Sequence, residues 1–539
     1  TQYFMPYKRA GSVQNATKEA IIGLERDTEQ IEIVVYATAT YPNARVTVQT
    51  GDEVILNERV DLSPVVAFVR RVAASAAPLE ITVRNEAERT LVSYRETEPT
   101  EHELPRPAEA IPEATAVAST ERLFLDGQHI EQYRHATWDA ADYYLEGLRR
   151  DPADARLNNA YGKLLLKRGL AEESEAYFRA AVKAVTARNP NPYDGEYHYN
   201  LAVALDALGR ADEAYDAFFK STWNAAWCGA GYERVGAIDM RRGNYALAEE
   251  HLRRAVDANT RGMEARDALI VALRMQARAE EALRLTEETL RLDPLNGVAA
   301  RERSLLTGAA EDWQETIGEN PNPYIELALE YARFGAADDA AAVLRACPVA
   351  TPMIGYHLAR LTGDGAWVDR AENVRADGCF PHRLEDRFTL EYALTLRPGA
   401  ATAHYALGNL WYDKRQYDRA IAHWEAAALL RPAFATPHRN LALAYYNKRG
   451  DTAAALHELE TAFDCDQSDA RVLMELDQLR KKLHHTAQSR LDALAPHMPL
   501  VKIRDDLALE YATLLNTLGR YREALDWING RRFHPWEGG

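Results

Sequence analysis

Residues 195–228 read GEYHYNLAVALDALGRADEAYDAFFKSTWNAAWC, and three of their positions decide the fold. With Gly195 as position 1, position 15 is Gly209, position 20 is Ala214 and position 24 is Phe218. A glycine at 15 suits a helix that must end and reverse, because a residue without Cβ enters the left-handed region freely. A small residue at 20 lets two antiparallel helices approach closely, and a bulky one at 24 fills the space between them. The same types return at the same offsets elsewhere. Position 15 is also Gly169, Gly243, Gly335 and Gly519. Position 20 is also Ala140, Ala248, Ala282, Ala340, Ala420 and Ala524. Position 24 is also Tyr144, Phe178, Leu252, Leu344, Trp424 and Ile528. Pro152, Pro294, Pro398 and Pro432 stand at position 32, where proline stops the second helix.

Repeats starting at 121, 155, 195, 229 and 263 are separated by 34, 40, 34 and 34 residues, the longer step carrying an insertion around NPNPYDG. Further starts fall at 401, 435 and near 505. A period of 34 is that of the tetratricopeptide repeat, and the pattern predicts an α-solenoid over 120–539 of roughly ten helix pairs. Residues 297–320, 345–382 and 468–504 fit poorly and are read as degenerate repeats.

Ahead of the repeats the pattern is that of strands. IEIVVYATA, ARVTVQT, EVILNERVDL, AFVRRVAA, LEITVRNE and TLVSYRE are short, rich in β-branched residues and separated by turn signals. Residues 28–95 therefore predict a small all-β sandwich of immunoglobulin-like type, with Val46 and Val48, and Ile81 and Val83, on buried faces. Residues 1–27 show no clear period and are read as an irregular lead-in. Residues 96–119, with Pro99, Pro105, Pro107 and Pro112 among glutamates, are read as a linker or a strap along the helices.

The chain of 539 residues carries 64 Lys and Arg against 81 Asp and Glu, net −17, which argues against a nucleic-acid partner. No apolar run approaches a membrane span. Cys228, Cys347, Cys379 and Cys465 are scattered, so neither a zinc site nor a disulfide framework is signalled. Free cysteines and the lack of a signal peptide in the chain as given favour the cytoplasm. The sequon Asn15-Ala16-Thr17 matters only in a secreted eukaryotic protein. No phosphate loop, HExxH or GxSxG occurs, and GAGYERVG around Gly229 has the wrong spacing for a dinucleotide loop. His484 and His485 are adjacent, so on a helix they would point about 100° apart. Neither a catalytic residue, a metal site nor a cofactor is expected.

Five phrases carry a resemblance: FMPYKRAGSVQNATKEA, HIEQYRHATWD, NPNPYDGEYHYNLAVAL, STWNAAW and RRFHPWEGG. They resemble large bacterial tetratricopeptide proteins that carry an upstream domain similar to galactose mutarotase. The resemblance spans essentially the whole chain, without that upstream domain, and the family pattern continues past HPWEGG. It implies a C-terminal part of a longer protein, with a link to carbohydrate metabolism.

In tetratricopeptide folds the first helix of each repeat lines the groove. The candidates there are Asn159, Lys163, Tyr199, Asp206, Glu233, Arg241, Asp267 and Arg274, and later Tyr405, Asn409, Tyr412, Arg439, Tyr446 and Asn447. Such a mixture suits a peptide or a sugar; a merely solvated inner face is the plainer reading. A clamp for a C-terminal carboxylate would use Asn159, Lys163, Asn200, Ala230 and Arg234, or Tyr405, Asn409, Asn440, Arg471 and Glu475. Each set is incomplete, and Glu475 would repel a carboxylate. Trp223 and Trp227, four apart, are read as one helix face that either packs in the core or stacks on a sugar. Asp206 and Glu233 are the acidic pair nearest to a glycosidase arrangement. The function expected is a non-catalytic scaffold for a protein or peptide. A part that holds a glycan for a carbohydrate-active neighbour is the alternative, and a homodimer is a further expected partner state.

Overall fold

The computed structural model describes all residues except 1–6, 8, 75–76, 98–106, 108, 134–136, 310–312, 377 and 535–539. The chain divides into two compact units, Thr1–Ala110 and Ile111–Gly539.

The first unit is a β-sandwich of two antiparallel sheets. One sheet orders β1 (Val13–Ala16), β2 (Ala20–Arg26), β3 (Gln30–Ala37) and β6 (Phe68–Ala73) side by side; the other orders β5 (Glu53–Leu62), β4 (Tyr41–Thr50), β7 (Leu79–Arg84) and β8 (Thr90–Arg95). Strands β3, β4, β6 and β7 alternate between the sheets, the crossing pattern of an immunoglobulin-like sandwich. Val46 pairs with Val83 and Val48 with Ile81, and all four are fully buried between the sheets. The sandwich starts earlier than the sequence suggested, since β1 and β2 lie within the stretch read as an irregular lead-in. The reason is double burial. Ile22 faces the inter-sheet core, while Ile21 packs on the opposite side with Ala10, Val34 and Tyr36, so AIIGLER shows no alternation.

The second unit is a helical-repeat solenoid. Its first helices include Ala155–Lys167, Glu196–Ala207, Ala225–Arg241, Met263–Met275, Pro321–Arg333, Ala401–Asp413 and Asp505–Thr517. The position-20 alanines are buried, as are Tyr144, Phe178, Phe218, Leu252, Leu344 and Trp424 at position 24. Second helices end at Arg150, Leu292, Leu396 and Leu430, each two residues before its proline. In the poorly fitting stretches a helix meets a shortened partner: Gly297–Thr307 is followed by Trp313–Ile317, and Pro352–Thr362 by Ala366–Glu372. Residues 111–119 strap onto the helix Ala140–Arg150, where Tyr143 donates to the Pro112 carbonyl and Arg150 to that of Val117, both at 2.7 Å. Of the linker prolines, Pro99 and Pro105 lie outside the described residues.

The array turns back on itself. Arg387 donates to the Gly169 carbonyl at 2.5 Å and pairs with Glu172 at 3.0 Å; Arg415 reaches Asp139 at 3.1 Å and Arg419 reaches Glu173 at 3.2 Å. The indole of Trp411 lies between the Arg387 and Arg419 guanidiniums, 5.3 and 4.8 Å from their centres.

Gly209 and Gly335 share φ 76°, but their surroundings differ. A Cβ on Gly209 would meet nothing within 4 Å, whereas one on Gly335 would lie 2.9 Å from the Arg241 Cα of a facing repeat. Gly209→Ala is expected to cost roughly 1–2 kcal/mol for the left-handed backbone, and Gly335→Ala distinctly more. Chemical denaturation of both variants checks this; equal costs would contradict the close approach.

His404 and His423 place their Nδ1 atoms 3.0 Å apart. Burial lowers both pKa values, and the His404 charge helps push His423 down to about 4. Glu372 and the Pro398 carbonyl, which face His404, act in the opposite sense. Between the usual 6.5 and about 4 the unfolded chain binds more protons at His423 than the folded one. Stability conferred here is therefore present above pH 6.5 and lost as pH falls toward 4. His423→Gln should flatten that slope in thermal melts across the window, and an unchanged slope would contradict the assignment.

Candidate functional site

A cavity of the solenoid, of about 620 Å³, is walled mainly by first helices. Val203, Asp206, Arg234 and Arg241 come from one side; Leu329, Arg333, Leu361, Arg383 and Phe388 come from helices more than 80 positions later. A polar and apolar lining of this size can hold a small molecule or part of a peptide.

Glu196 organises the first candidate cluster. Asn159 and Lys163 donate to one oxygen of its carboxylate at 3.1 and 2.9 Å, and Asn200 donates to the same oxygen at 3.3 Å and to Asn159 Oδ1 at 2.9 Å. Burial alone would raise the Glu196 carboxyl, yet the Lys163 ammonium and the two amides outweigh it and hold it below its usual value. Three of the five clamp candidates, Asn159, Lys163 and Asn200, thus converge on a carboxylate that the chain itself supplies, whereas Arg234 lies against Glu233. The later cluster repeats the device. Arg439 donates to Glu475 at 2.6 Å and Arg471 to the same carboxylate at 3.1 Å, while Asn409 accepts from both Asn440 and Trp424 at 3.1 Å.

Other inner-face charges are also matched within the chain. Arg241 pairs with Asp206 at 2.5 Å, and Arg274 binds Glu302 at 2.6 Å and Asp339 at 2.7 Å. Asp267 accepts from Asn296 at 3.0 Å through both oxygens. Glu233 lies against Arg234, so it and Asp206 each face an arginine rather than one another. Apart from Arg274 with Asp339, 65 positions away, and the adjacent Glu233 and Arg234, these partners sit 28 to 36 positions apart, close to one repeat.

Aromatic candidates take different places. Tyr405 is 6% exposed and packs on Phe434 at 4.9 Å, so it is a core residue rather than an open groove face. Tyr412 packs on Trp424 and Tyr417, and Tyr199 on Phe218 and Trp227. Tyr446 lies under the Lys482 ammonium beside a hollow of about 190 Å³ that Asn447 also lines. Trp223 and Trp227 do not share a helix face, because Asn224 caps the helix Ala225–Arg241 and leaves Trp223 on the turn before it. Trp227 donates to Asp194 at 2.9 Å, whereas Trp223 is 63% exposed. His484 likewise lies beyond the helix Ala470–Lys482, at φ 60°, so the two histidines share no helix. His534 donates its backbone amide to Asp505 at 2.7 Å; Pro535, Trp536 and Glu537 lie outside the described residues. Among the described residues no group of three or more His, Cys, Asp or Glu is arranged to hold a metal ion, and no helix is long and apolar enough to cross a membrane.

Comparison with known proteins assigns both units. Residues 15–94 match the family model for the second domain of YphG-like proteins, and residues 139–192 and 405–470 match the tetratricopeptide repeat. Solved structures with similarity include a tetratricopeptide repeat protein from Parabacteroides merdae, at 12% identity, 63% of this chain, 98% of that chain and a TM-score of 0.31. Naa15/Naa10 bound to HypK-THB is similar at 14% identity, 76% of this chain, 74% of that chain and a TM-score of 0.26. The MamA RS-1 ArsTM double mutant is similar at 18% identity over 35% of this chain and 98% of that chain, with a TM-score of 0.22. The chain thus joins a domain like the second domain of YphG-like proteins to an array of tetratricopeptide repeats.

Proposed function

We propose that the helical array is a scaffold that holds a protein or peptide on its concave side, without catalysis of its own. The observation that supports this reading is the cavity of about 620 Å³ shared by first helices of well-separated repeats. Because Glu196 and Glu475 already occupy the basic clusters, recognition falls to shape and apolar contact rather than to a carboxylate clamp. Leu361 lines the cavity and Tyr446 the later hollow. Peptides selected from a displayed library against the whole chain should lose at least about tenfold in affinity, a loss of about 1.4 kcal/mol, with Leu361→Glu or Tyr446→Ala. Peptides that bind both variants as well as the parent chain would refute the reading.

A second reading has its own observation. Trp223 is 63% exposed, with the Lys220 ammonium 3.6 Å from its ring centroid, and Asn224 ties the turn to the carbonyl of Tyr193, itself 97% exposed. Exposed rings beside polar side chains suit stacking on a glycan, which would assist a carbohydrate-active neighbour such as a domain resembling galactose mutarotase. A glycan array distinguishes the two: sugar binding abolished by Trp223→Ala favours this reading, and silence from the array removes it. A second copy of the chain would be met by Tyr521, Leu525 and Ile528, exposed along the helix Tyr521–Asn529. Leu525→Glu should then abolish any dimer seen in sedimentation, and a dimer that persists would exclude that face.

A further inference from the structure

Two arginines connect the 620 Å³ cavity with a neighbouring one of about 230 Å³, since Arg234 and Arg333 line both. Arg234 belongs to the helix Ala225–Arg241 and Arg333 to Pro321–Arg333, so the guanidiniums come from two facing repeats. Between them stands the buried Glu233. Its Oε2 lies 3.1 Å from Arg234 Nε and its Oε1 3.6 Å from Arg333 Nη2. Neither contact has the alignment of a hydrogen bond. Arg234 Nε, Arg333 Nε, Arg333 Nη2 and Glu233 Oε1 are all buried without a hydrogen-bond partner among the described residues. Buried N–H groups left without an acceptor are costly, and three such donors belong to the two arginines beside Glu233.

Several neighbouring charges are engaged elsewhere. Asp206 is taken by Arg241, and Glu326 by Arg383; Arg360 donates to the Glu385 carbonyl and to Thr389. Burial pushes the Glu330 carboxyl, beside Arg333, up to about 7, and it drives Asp267 well above its usual range. Two guanidiniums thus lie against one carboxylate, that of Glu233, without a hydrogen bond to it.

We infer that Arg234 and Arg333 form a binding site for the oxyanion of a small organic ligand, a carboxylate or a phosphate, whose apolar remainder lies in the larger cavity against Phe218, Leu329, Leu361 and Phe388. A guanidinium fork presents parallel N–H groups to two oxygens of such an anion. The cavity volume is within the usual range for small-molecule sites. The apolar part of the ligand would fill the cavity that the peptide reading also uses, whereas the anion site stands on Arg234 and Arg333 themselves.

Calorimetric titration of the whole chain with phenyl phosphate, benzoate and inorganic phosphate tests it. One aromatic anion should bind at one site per chain and more tightly than inorganic phosphate. Phenyl phosphate ahead of benzoate marks the head group as phosphate, and the reverse order marks it as carboxylate. Arg333→Met and Arg234→Met should each weaken binding by about tenfold or more. Glu233→Gln, nearly isosteric, removes the internal competitor and should tighten binding; it keeps the test open if an arginine variant does not fold. No binding of any probe by the parent chain overturns the assignment. Affinity unchanged in folded arginine variants, or unchanged in Glu233→Gln, also overturns it.

Discussion

Arg387 ties together two stretches separated by 218 residues, donating to the Gly169 carbonyl and gripping Glu172. In a simple solenoid each repeat touches only its neighbours, and such an array leaves its inner face open along its length. Here the turn ending at Leu170 and the helix Ala171–Thr186 meet the helices Leu384–Leu396 and Tyr417–Leu430, and the inner face becomes a bounded cavity. The contact is mostly charge-assisted, with Trp411 filling the space between two guanidiniums. Such bonds are stronger than neutral ones where water is partly excluded, and they fix geometry as well as energy. Arg383 and Phe388, on either side of Arg387, belong to the wall of that cavity.

The bounded cavity also sets the electrostatics of recognition. A chain with net charge −17 would ordinarily repel an acidic partner from its surface. Its inner-face cations are instead consumed by its own carboxylates, Lys163 by Glu196, Arg439 by Glu475, Arg241 by Asp206. A partner that sought those cations would have to displace a paired carboxylate and leave it without its cation, which is unfavourable. On the proposed reading, recognition then rests on shape, on apolar contact and on the few places where pairing is incomplete. Arg234 and Arg333 are the clearest of those places.

Much of the fold could be read from the sequence because the repeat is a local code. Gly169, Gly209, Gly243, Gly335 and Gly519 all adopt positive φ, the small residues at position 20 are buried, and the prolines follow helix ends, since each depends on neighbours within one or two helices. The first strands escaped because burial on both faces erased the alternation in AIIGLER. Trp223 was misplaced because a turn separates the helix ending at Ser221 from the one that Asn224 caps, so Trp223 and Trp227 belong to no common helix. The return of the chain could not be read at all, because it sums small rotations over many repeats, including degenerate ones. The charge pairing left a usable trace: opposite charges recur about one repeat apart on the inner face, as Arg241 does with Asp206.

The return of the chain is tested most directly by short-reach crosslinking. Glu173 and Arg419 stand 3.2 Å apart through their charged groups. In a Glu173→Cys, Arg419→Cys variant, a short bismaleimide followed by peptide mass spectrometry should join those two positions rapidly and in high yield within single chains. An absence of that linked peptide pair, with both cysteines modified separately, would mean that the array stays open and that the bounded cavity does not exist.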